Sequence, residues 1–154
     1  MGVYTPIMEK QIVATTGRCT CFRVRKLTRL MSQRYDRKLA AAGFTLNQYS
    51  ILRRLGDAPR TVGDLARELG MDRTTLSRDL KPLLACEWLE QVSTTDARQR
   101  PVRVSNAGKR ALAKAMPAWR EAQDEIEGLL GAAGIQALHL QLDRAIGRLQ
   151  VEAA

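Results

Sequence analysis

The chain of 154 residues is long enough for one domain, or for two lobes that share a core, and 45% of it is hydrophobic, as in ordinary globular proteins. A formal charge of +9 indicates a polyanionic partner, and the lack of any run of 18 apolar residues argues against a transmembrane helix. Because the N-terminus has no apolar secretion signal and there are only three cysteines, we expect a cytoplasmic protein with reduced thiols.

The positive charge fades along the chain. Residues 1–52 contain nine Lys or Arg and two Asp or Glu, whereas residues 111–154 contain four and six. We therefore expect the last third of the chain to face away from the polyanion.

Apolar spacing predicts a mainly helical chain after an irregular arm at residues 1–16. In the first long helix, Leu27, Met31 and Tyr35 recur at four-residue intervals, and Gly43 would end it. Four of the predicted helices cover residues 18–42, 46–55, 106–129 and 132–151.

Two short helices lie between them. Thr61 and Asp64 have capping-box spacing, Gly70 would end the first helix, and Asp72 would cap the second. The second helix has an apolar side of Leu76, Leu80 and Leu83 and a polar side of Arg73, Thr74, Ser77, Arg78 and Lys81. Two short helices joined by a glycine-containing turn predict a helix-turn-helix with a basic outer face. Pro82 removes one backbone hydrogen bond from the second helix, so we expect a bend near residues 78–81.

The stretch VSTTDARQRPVRVS, residues 92–105, follows directly and predicts a hairpin with arginines at its tip. No core requires an arginine there. A narrow tip fits the minor groove of DNA, where the negative potential attracts arginine. We expect Arg98 to enter that groove and Arg100 to contact the adjoining phosphates.

The segments TVGDLARELGMDRTTLSRDLKPLLACEWL and DARQRPVRVSNAGKRAL resemble those of MarR-family transcriptional regulators. The positions that match the family's wing signature are Asp96, Arg98, Val104, Ser105 and Gly108. The resemblance spans most of residues 20–150. It implies a mainly α fold with a small β-hairpin wing, a winged helix-turn-helix in residues 46–108, and a dimerisation lobe formed by residues 1–45 and 109–154.

The resemblance also implies a function. A two-fold homodimer would bind a pseudo-palindromic DNA operator as a repressor, and Asp96 would brace the wing by pairing with an arginine. Arg73 or Arg78 could reach guanine, and Lys109 and Arg110 would contact phosphates. The expected DNA-contacting residues are Arg73, Thr74, Thr75, Ser77, Arg78, Lys81, Arg98 and Arg100.

Many such repressors are released by a small effector held between the two lobes. Arginines and aromatic residues in the relevant segments would suit an anionic, aromatic effector. The candidate lining residues are Arg25, Arg29, Tyr35, Phe44, Tyr49 and Trp119. The alternative is that these aromatics are core residues and that the arginines are solvated or contact DNA at a distance.

Cys19 and Cys21 suggest a second kind of switch. Neighbouring Arg18 and Arg23 would favour the reactive thiolate, so that oxidation or a soft metal could control DNA binding. The alternative is two small residues at the start of a helix. Cys86 is expected to be buried and inert. With a single histidine, a zinc site is not expected, although thiolates from two subunits could form one.

Other classes of function fit less well. The chain has no phosphate-binding glycine loop, no H-E-x-x-H motif and no nucleophile elbow, so neither an enzyme nor a bound cofactor is expected. A winged helix used only for protein contacts remains an alternative, against which the basic outer face argues.

Overall fold

The computed structural model describes residues 17–96 and 99–152. The fold is mainly α-helical with one two-stranded antiparallel hairpin, which confirms the predicted fold class. In chain order the elements are α1 (Thr20–Leu39), a 3₁₀ turn (Ala40–Ala42), α2 (Leu46–Leu55), α3 (Val62–Leu69), α4 (Arg73–Ala85), β1 (Leu89–Gln91), β2 (Val102–Val104), α5 (Asn106–Leu130) and α6 (Ala132–Glu152).

The chain divides into two compact units, one that ends at Arg34 and one that begins at Tyr35. In the first unit, the N-terminal part of α1 exposes both Arg25 and Arg29. The second unit contains every other element and all the contacts between elements described below. None of the helices in the described part of the chain is long and apolar enough to cross a bilayer.

Local capping signals place α3 and α4 as the sequence predicted. The Thr61 hydroxyl accepts the Asp64 N–H at 3.1 Å, and α3 ends at Gly70, whose φ of 62° is left-handed. The Asp72 carboxylate then accepts the Thr74 N–H at 2.9 Å, which starts α4. These side chains satisfy backbone N–H groups that would otherwise lack partners, so both helix starts are fixed locally.

The apolar side of α4 lies in the core. Leu76, Leu80 and Leu83 are buried, as their spacing predicted. Against α4 lies α3, which contributes the fully buried Leu65. The helix continues through Pro82, and the bend expected near residues 78–81 stays a prediction. Burial of this side leaves the polar side of α4 facing outward.

A third segment of backbone pairs with the hairpin, and the sequence did not predict this pairing. Leu89 pairs with Val104, and Gln91 with Val102. Arg60, just before α3, exchanges two backbone hydrogen bonds with Val102, each 2.9 Å long. The base of the hairpin is therefore joined to the start of the helix-turn-helix.

Behind the hairpin, the chain packs closely at what we call the wing junction (Trp88, Ser105 and Gly108). The Trp88 N–H donates to the Leu83 carbonyl at 3.0 Å, and the Trp88 carbonyl accepts the Ser105 N–H at 3.0 Å. A Cβ added at Gly108 would lie 2.1 Å from the Trp88 carbonyl oxygen. Only glycine allows α5 to begin this close to β1, which explains the glycine in the wing signature.

Candidate nucleic-acid interface

The predicted contact residues of α4 lie together on its exposed side. We call this set the outer surface of α4, and it consists of Arg73, Thr74, Thr75, Ser77, Arg78 and Lys81, all exposed. The Ser77 hydroxyl donates to the Arg73 carbonyl at 2.8 Å and keeps its oxygen lone pairs available to a donor. The surface thus offers three cations and three hydroxyl groups on one α-helix, a shape that fits a major groove.

A cleft brings α3, α4 and the wing to one place. Its volume is about 470 Å³, and it opens between the start of α3 and the wing. The lining residues are Thr61, Val62, Gly63, Asp64, Arg73, Ser77, Gln99 and Arg100. Of the residues expected to contact DNA, the cleft unites Arg73 and Ser77 from α4 with Arg100 from the wing.

The cationic side chains of this region differ from neighbouring ones in whether they form an ion pair with a carboxylate. Within residues 17–96 and 99–152, no described carboxylate forms an ion pair with Arg73, Arg78, Lys81 or Arg100. By contrast, Lys109 Nζ lies 2.9 Å from a carboxylate oxygen of Asp57. Lys109, expected to contact phosphate, is already partly neutralised, whereas the cations of the cleft and of α4 remain available to an anion.

One acidic side chain lies in the cleft. Hydrogen bonds from the Thr61 hydroxyl and then from Arg67 lower the pKa of the Asp64 carboxyl below its usual value. The Arg67 guanidinium donates to Asp64 at 3.0 Å. The carboxylate is therefore ionised at neutral pH, and its charge is directed to Arg67, a residue outside the cleft lining.

The wing is described in part. Arg98 lies outside the described residues, so its entry into a minor groove stays a prediction. Near the tip, the Gln99 N–H donates to the Asp96 carbonyl at 3.0 Å, and the Asp96 N–H donates to the Thr94 hydroxyl at 3.5 Å. Arg100, next to Gln99, is exposed. Bracing by the Asp96 carboxylate also stays a prediction.

A separate cavity of about 370 Å³ lies between α2 and α5. Tyr49 and Trp119, both candidates for effector binding, line it, whereas Tyr35 and Phe44 do not. The lining residues are Tyr49, Ser50, Arg53, Arg54, Met116, Trp119 and Arg120. Sequence reasoning missed the three arginines. Arg53 and Arg54 end α2, and Arg120 follows Trp119, but nothing in the sequence showed that these three residues line one cavity.

The aromatic residues beside the cavity form a continuous stack. Trp119 lies between Tyr35 and Tyr49, with ring centroids 6.3 and 6.1 Å apart. The Tyr35 hydroxyl donates to the Gln123 side-chain oxygen. Tyr35 and Phe44 are buried and do not line the cavity, and a role for them in effector binding stays a prediction.

Burial changes the acidity of both tyrosines. It raises the pKa of Tyr35 above its usual value, and the negative charge of Glu127 raises it further. Burial also raises the pKa of Tyr49, against the lowering effect of Arg53 and Arg120. Both phenols are therefore protonated at neutral pH, and the cavity presents arginine cations without a phenolate to compensate them.

The described cysteines are all exposed. The prediction that Cys86 is buried is wrong, because it lies at the C-cap of α4 among the exposed residues 85–87. The Phe22 N–H donates to Cys19 Sγ at 3.4 Å, which places this thiol at the start of α1. Cys21 follows in the first turn. Among the residues that the structure describes, no three His, Cys, Asp or Glu side chains are grouped to hold a metal ion.

Comparison with known proteins gives a consistent result. A family model described as MarR family matches residues 42–99. The structure is similar to that of the M. tuberculosis transcriptional regulator MosR in complex with DNA, with 29% identity, a TM-score of 0.73, and coverage of 86% of this chain and 98% of that chain. A probable transcriptional regulator from Pseudomonas aeruginosa shares 27% identity over 79% of this chain and 96% of its own, with a TM-score of 0.66.

The repressor CouR, bound to a 23-mer DNA duplex, has the same fold at 19% identity, with a TM-score of 0.76 and coverage of 95% of this chain and 99% of that chain. The comparison with curated protein sequences found no match. The helix-turn-helix with its wing defines a DNA-binding transcriptional regulator and not an enzyme. Residues 42–99 match the MarR family, and the described fold is that of winged-helix transcriptional regulators.

Proposed function

We propose that two copies of this chain form a dimer that represses transcription by binding a pseudo-palindromic operator, and that an anionic aromatic effector releases it. The observation that carries the proposal is the cleft in which Arg73 and Ser77 of α4 meet Arg100 of the wing. A single duplex bound there would be contacted by both elements at once. Contacts from two elements fix the register of a protein on DNA.

In this proposal α4 enters the major groove. Arg73 and Arg78 are the candidates for guanine O6 and N7, because a guanidinium can donate to both atoms. The other contacts assigned to α4 are those of Thr74, Thr75, Ser77 and Lys81. All six side chains are exposed, which supports the assignment. In the wing, Arg98 would enter the minor groove beside the phosphates that Arg100 contacts, braced by Asp96.

We assign the dimer interface to residues 1–45 and 109–154, and DNA binding to residues 46–108. Support comes from α6, which leaves large apolar side chains uncovered in the single chain. Leu149 is 69% exposed and Val151 is 79% exposed, with Leu140 and Ile146 about half exposed. Apolar side chains in such a group mark an interaction surface. A dimer also doubles the charge of +9 that DNA meets.

We assign the effector to the cavity between α2 and α5. Arg53, Arg54 and Arg120 supply positive charge, and the stacked Tyr49 and Trp119 supply an aromatic wall. This combination suits a planar ligand that carries a carboxylate or a similar anion. Arg25 and Arg29, which the sequence also suggested, belong to the other unit, and their role in effector binding stays a prediction.

The DNA-binding claim is tested by fluorescence anisotropy with a labelled duplex from upstream of the protein's own gene, while size-exclusion chromatography with light scattering gives the oligomeric state. We expect a dimer, and we expect Arg73→Ala and Arg100→Ala each to weaken binding by about 1–3 kcal/mol, or roughly 5–150-fold. Arg37→Ala is the control, because Arg37 pairs with Glu125 away from the cleft. Equal effects of all three variants would refute the assignment.

The repression and effector claims have their own test. Transcription from the bound promoter in vitro should fall as protein is added and should recover with an aromatic carboxylate such as 2-naphthoate. Calorimetry should show that 2-naphthoate binds the protein and that Arg53→Ala and Arg120→Ala weaken this binding. Activation of transcription would refute repression. If 2-naphthoate still binds after both substitutions, the effector site is not the cavity between α2 and α5.

A second candidate is a thiol-based sensor on the same DNA-binding scaffold, which responds to an oxidant or to a soft metal ion. The observation in its favour is that Cys19 Sγ is exposed at the start of α1 and accepts the Phe22 N–H at 3.4 Å. Cys21 is exposed nearby in the first turn. Peroxide should then release DNA from the native protein, and a reductant should restore binding. Retention of the peroxide response in Cys19→Ser and Cys21→Ser would remove this candidate.

A further inference from the structure

We infer that Phe44 and Trp88 are positioning residues that connect the α2–α5 cavity to the wing junction, so that a ligand in the cavity changes how α4 and the wing are held relative to each other. The inference rests on the proposed effector function and adds the route by which the ligand acts. It assigns to the two aromatic residues a role in regulation that is separate from contact with either ligand or DNA.

The route starts at the cavity wall. Tyr49 lines the cavity, and its ring meets Phe44 edge-on, with centroids 6.1 Å apart and planes at 85°. Phe44 then stacks on Trp88, with centroids 4.3 Å apart and planes at 20°. Phe44 is buried. In a close-packed interior a ring in this position cannot move without displacing its neighbours, so a shift of Tyr49 reaches Trp88.

Trp88 in turn holds two elements that face the nucleic acid. Its N–H donates to the Leu83 carbonyl, near the C-terminal end of α4, and its carbonyl accepts the Ser105 N–H, directly after β2. The close approach of Gly108 to this carbonyl leaves no room for the peptide to move alone. A rotation at Trp88 therefore changes the end of α4 and the base of the wing together.

The residue before Trp88 has an uncommon backbone conformation. Glu87 has a φ of 58°, a left-handed conformation that residues other than glycine rarely adopt. The Ser105 hydroxyl donates to the Glu87 carbonyl and holds it in this conformation. Release of the Phe44–Trp88 stack would let Glu87 return to a common backbone conformation. In this inference the junction has the held state seen here and a relaxed state, and a ligand selects between them.

A ligand shifts such an equilibrium only by the difference in its affinity for the two states. A planar anion held by Arg53 and Arg120 would lie against Tyr49 and so favour the state in which that ring has moved. By reciprocity, DNA that favours the held state weakens the ligand by the same factor.

The test fixes a ligand in the cavity covalently, so that it does not depend on affinity. Met116, which lines the cavity, is replaced by cysteine in a chain whose own cysteines are changed by Cys19→Ser, Cys21→Ser and Cys86→Ser. Reaction with 5,5′-dithiobis(2-nitrobenzoate) then attaches an anionic aromatic thionitrobenzoate group by disulfide exchange, and dithiothreitol removes it. The ratio of DNA dissociation constants with and without the group measures the coupling.

We expect the attached group to weaken duplex binding at least 10-fold, and Phe44→Leu to reduce this ratio to less than about 3-fold. Ile51→Val, a buried apolar change in α2 outside the stack, is the matched control and should leave the ratio at 10-fold or more. Trp88→Leu should reduce the ratio as Phe44→Leu does. Trp88→Phe, which keeps an aromatic ring, should leave most of the coupling in place. Phe44→Met provides a second variant in case Phe44→Leu does not fold.

Hydrogen exchange gives a readout that needs no DNA. The group should accelerate exchange of the Ser105 amide, which donates to Trp88, and Phe44→Leu should abolish this acceleration. If the group affects neither DNA binding nor exchange in the parent chain, the cavity does not regulate, and the proposed effector function fails. If the group weakens DNA binding equally in the parent chain and in Phe44→Leu, the cavity regulates, but the route through Phe44 and Trp88 is wrong.

Discussion

The outer surface of α4 and the wing junction lie on the same short segment of chain, yet they use polar groups in opposite ways. On the outer surface, Arg73, Arg78 and Lys81 extend into solvent with no carboxylate partner among the described residues. At the junction, the Trp88 N–H and carbonyl are both hydrogen-bonded, and Gly108 packs directly against that carbonyl. Unpaired cations are available to a partner, whereas paired groups fix the geometry in which those cations are presented.

This difference has a physical basis. A buried polar group that lacks a hydrogen bond costs about 1–3 kcal/mol, so the junction must pair its groups within the chain. An exposed arginine is hydrated in the free protein, so the lack of an ion-pair partner costs little free energy. When the arginine binds a phosphate of DNA, the counterions of that phosphate are released. Substitutions at the junction should therefore change stability, and substitutions on the outer surface should change binding.

The largest effect is expected for Gly108→Ala. The new methyl group would lie 2.1 Å from the Trp88 carbonyl oxygen, so α5 or β1 must shift, and we expect the free energy of unfolding to fall by about 3 kcal/mol. Urea denaturation measures this change. The matched control is Gly128→Ala, in the same helix with no atom near the new Cβ, which should be neutral or stabilising. A loss of similar size for both variants would contradict the account of the junction.

A smaller effect is expected for Ser105→Ala. The Ser105 hydroxyl accepts the Gly108 N–H at 3.0 Å and donates to the Glu87 carbonyl, so its removal costs a helix cap and a second hydrogen bond. We expect a loss of about 1–2 kcal/mol in the free energy of unfolding. Ser93→Ala, at an exposed position, should change the same quantity by less than about 0.5 kcal/mol. If Ser105→Ala is equally mild, the hydroxyl does not hold the junction.

The smallest effect is expected for Glu87→Gly, and its sign is opposite. Glycine adopts a φ of 58° without steric cost, so this change should raise the free energy of unfolding by about 0.5–1 kcal/mol. Glu87→Ala separates the backbone from the side chain, because alanine keeps the Cβ and should give no such gain. Thermal unfolding of both variants makes the comparison. Equal stability of the two would show that the backbone at Glu87 is not strained.

The sequence predicted the parts of this comparison that depend on local spacing. Both faces of α4 follow from the three- and four-residue steps of Leu76, Leu80 and Leu83, and Thr61 and Asp72 signalled the helix starts. The capping box of Thr45 and Gln48 was equally local and was overlooked. These features need only the chemistry of a few neighbouring residues.

The parts that the sequence could not reveal depend on distant residues. Phe44 and Trp88 stack although 43 residues separate them in the chain, and Arg60 pairs with a strand that begins at Val102. Cys86 was misjudged from its apolar neighbours, because burial there depends on where the chain leaves α4. The cavity arginines likewise meet only through the packing of α2 on α5. No spacing rule encodes such contacts.

The central claim is that the outer surface of α4 binds duplex DNA by its unpaired cations, and the salt dependence of binding tests it most directly. We expect the logarithm of the association constant to fall steeply and linearly with the logarithm of salt concentration. Lys81→Ala should reduce the magnitude of that slope by about one per subunit and weaken binding similarly for all sequences. A folded dimer whose duplex binding is insensitive to salt, or a Lys81→Ala variant with an unchanged slope, would contradict the claim.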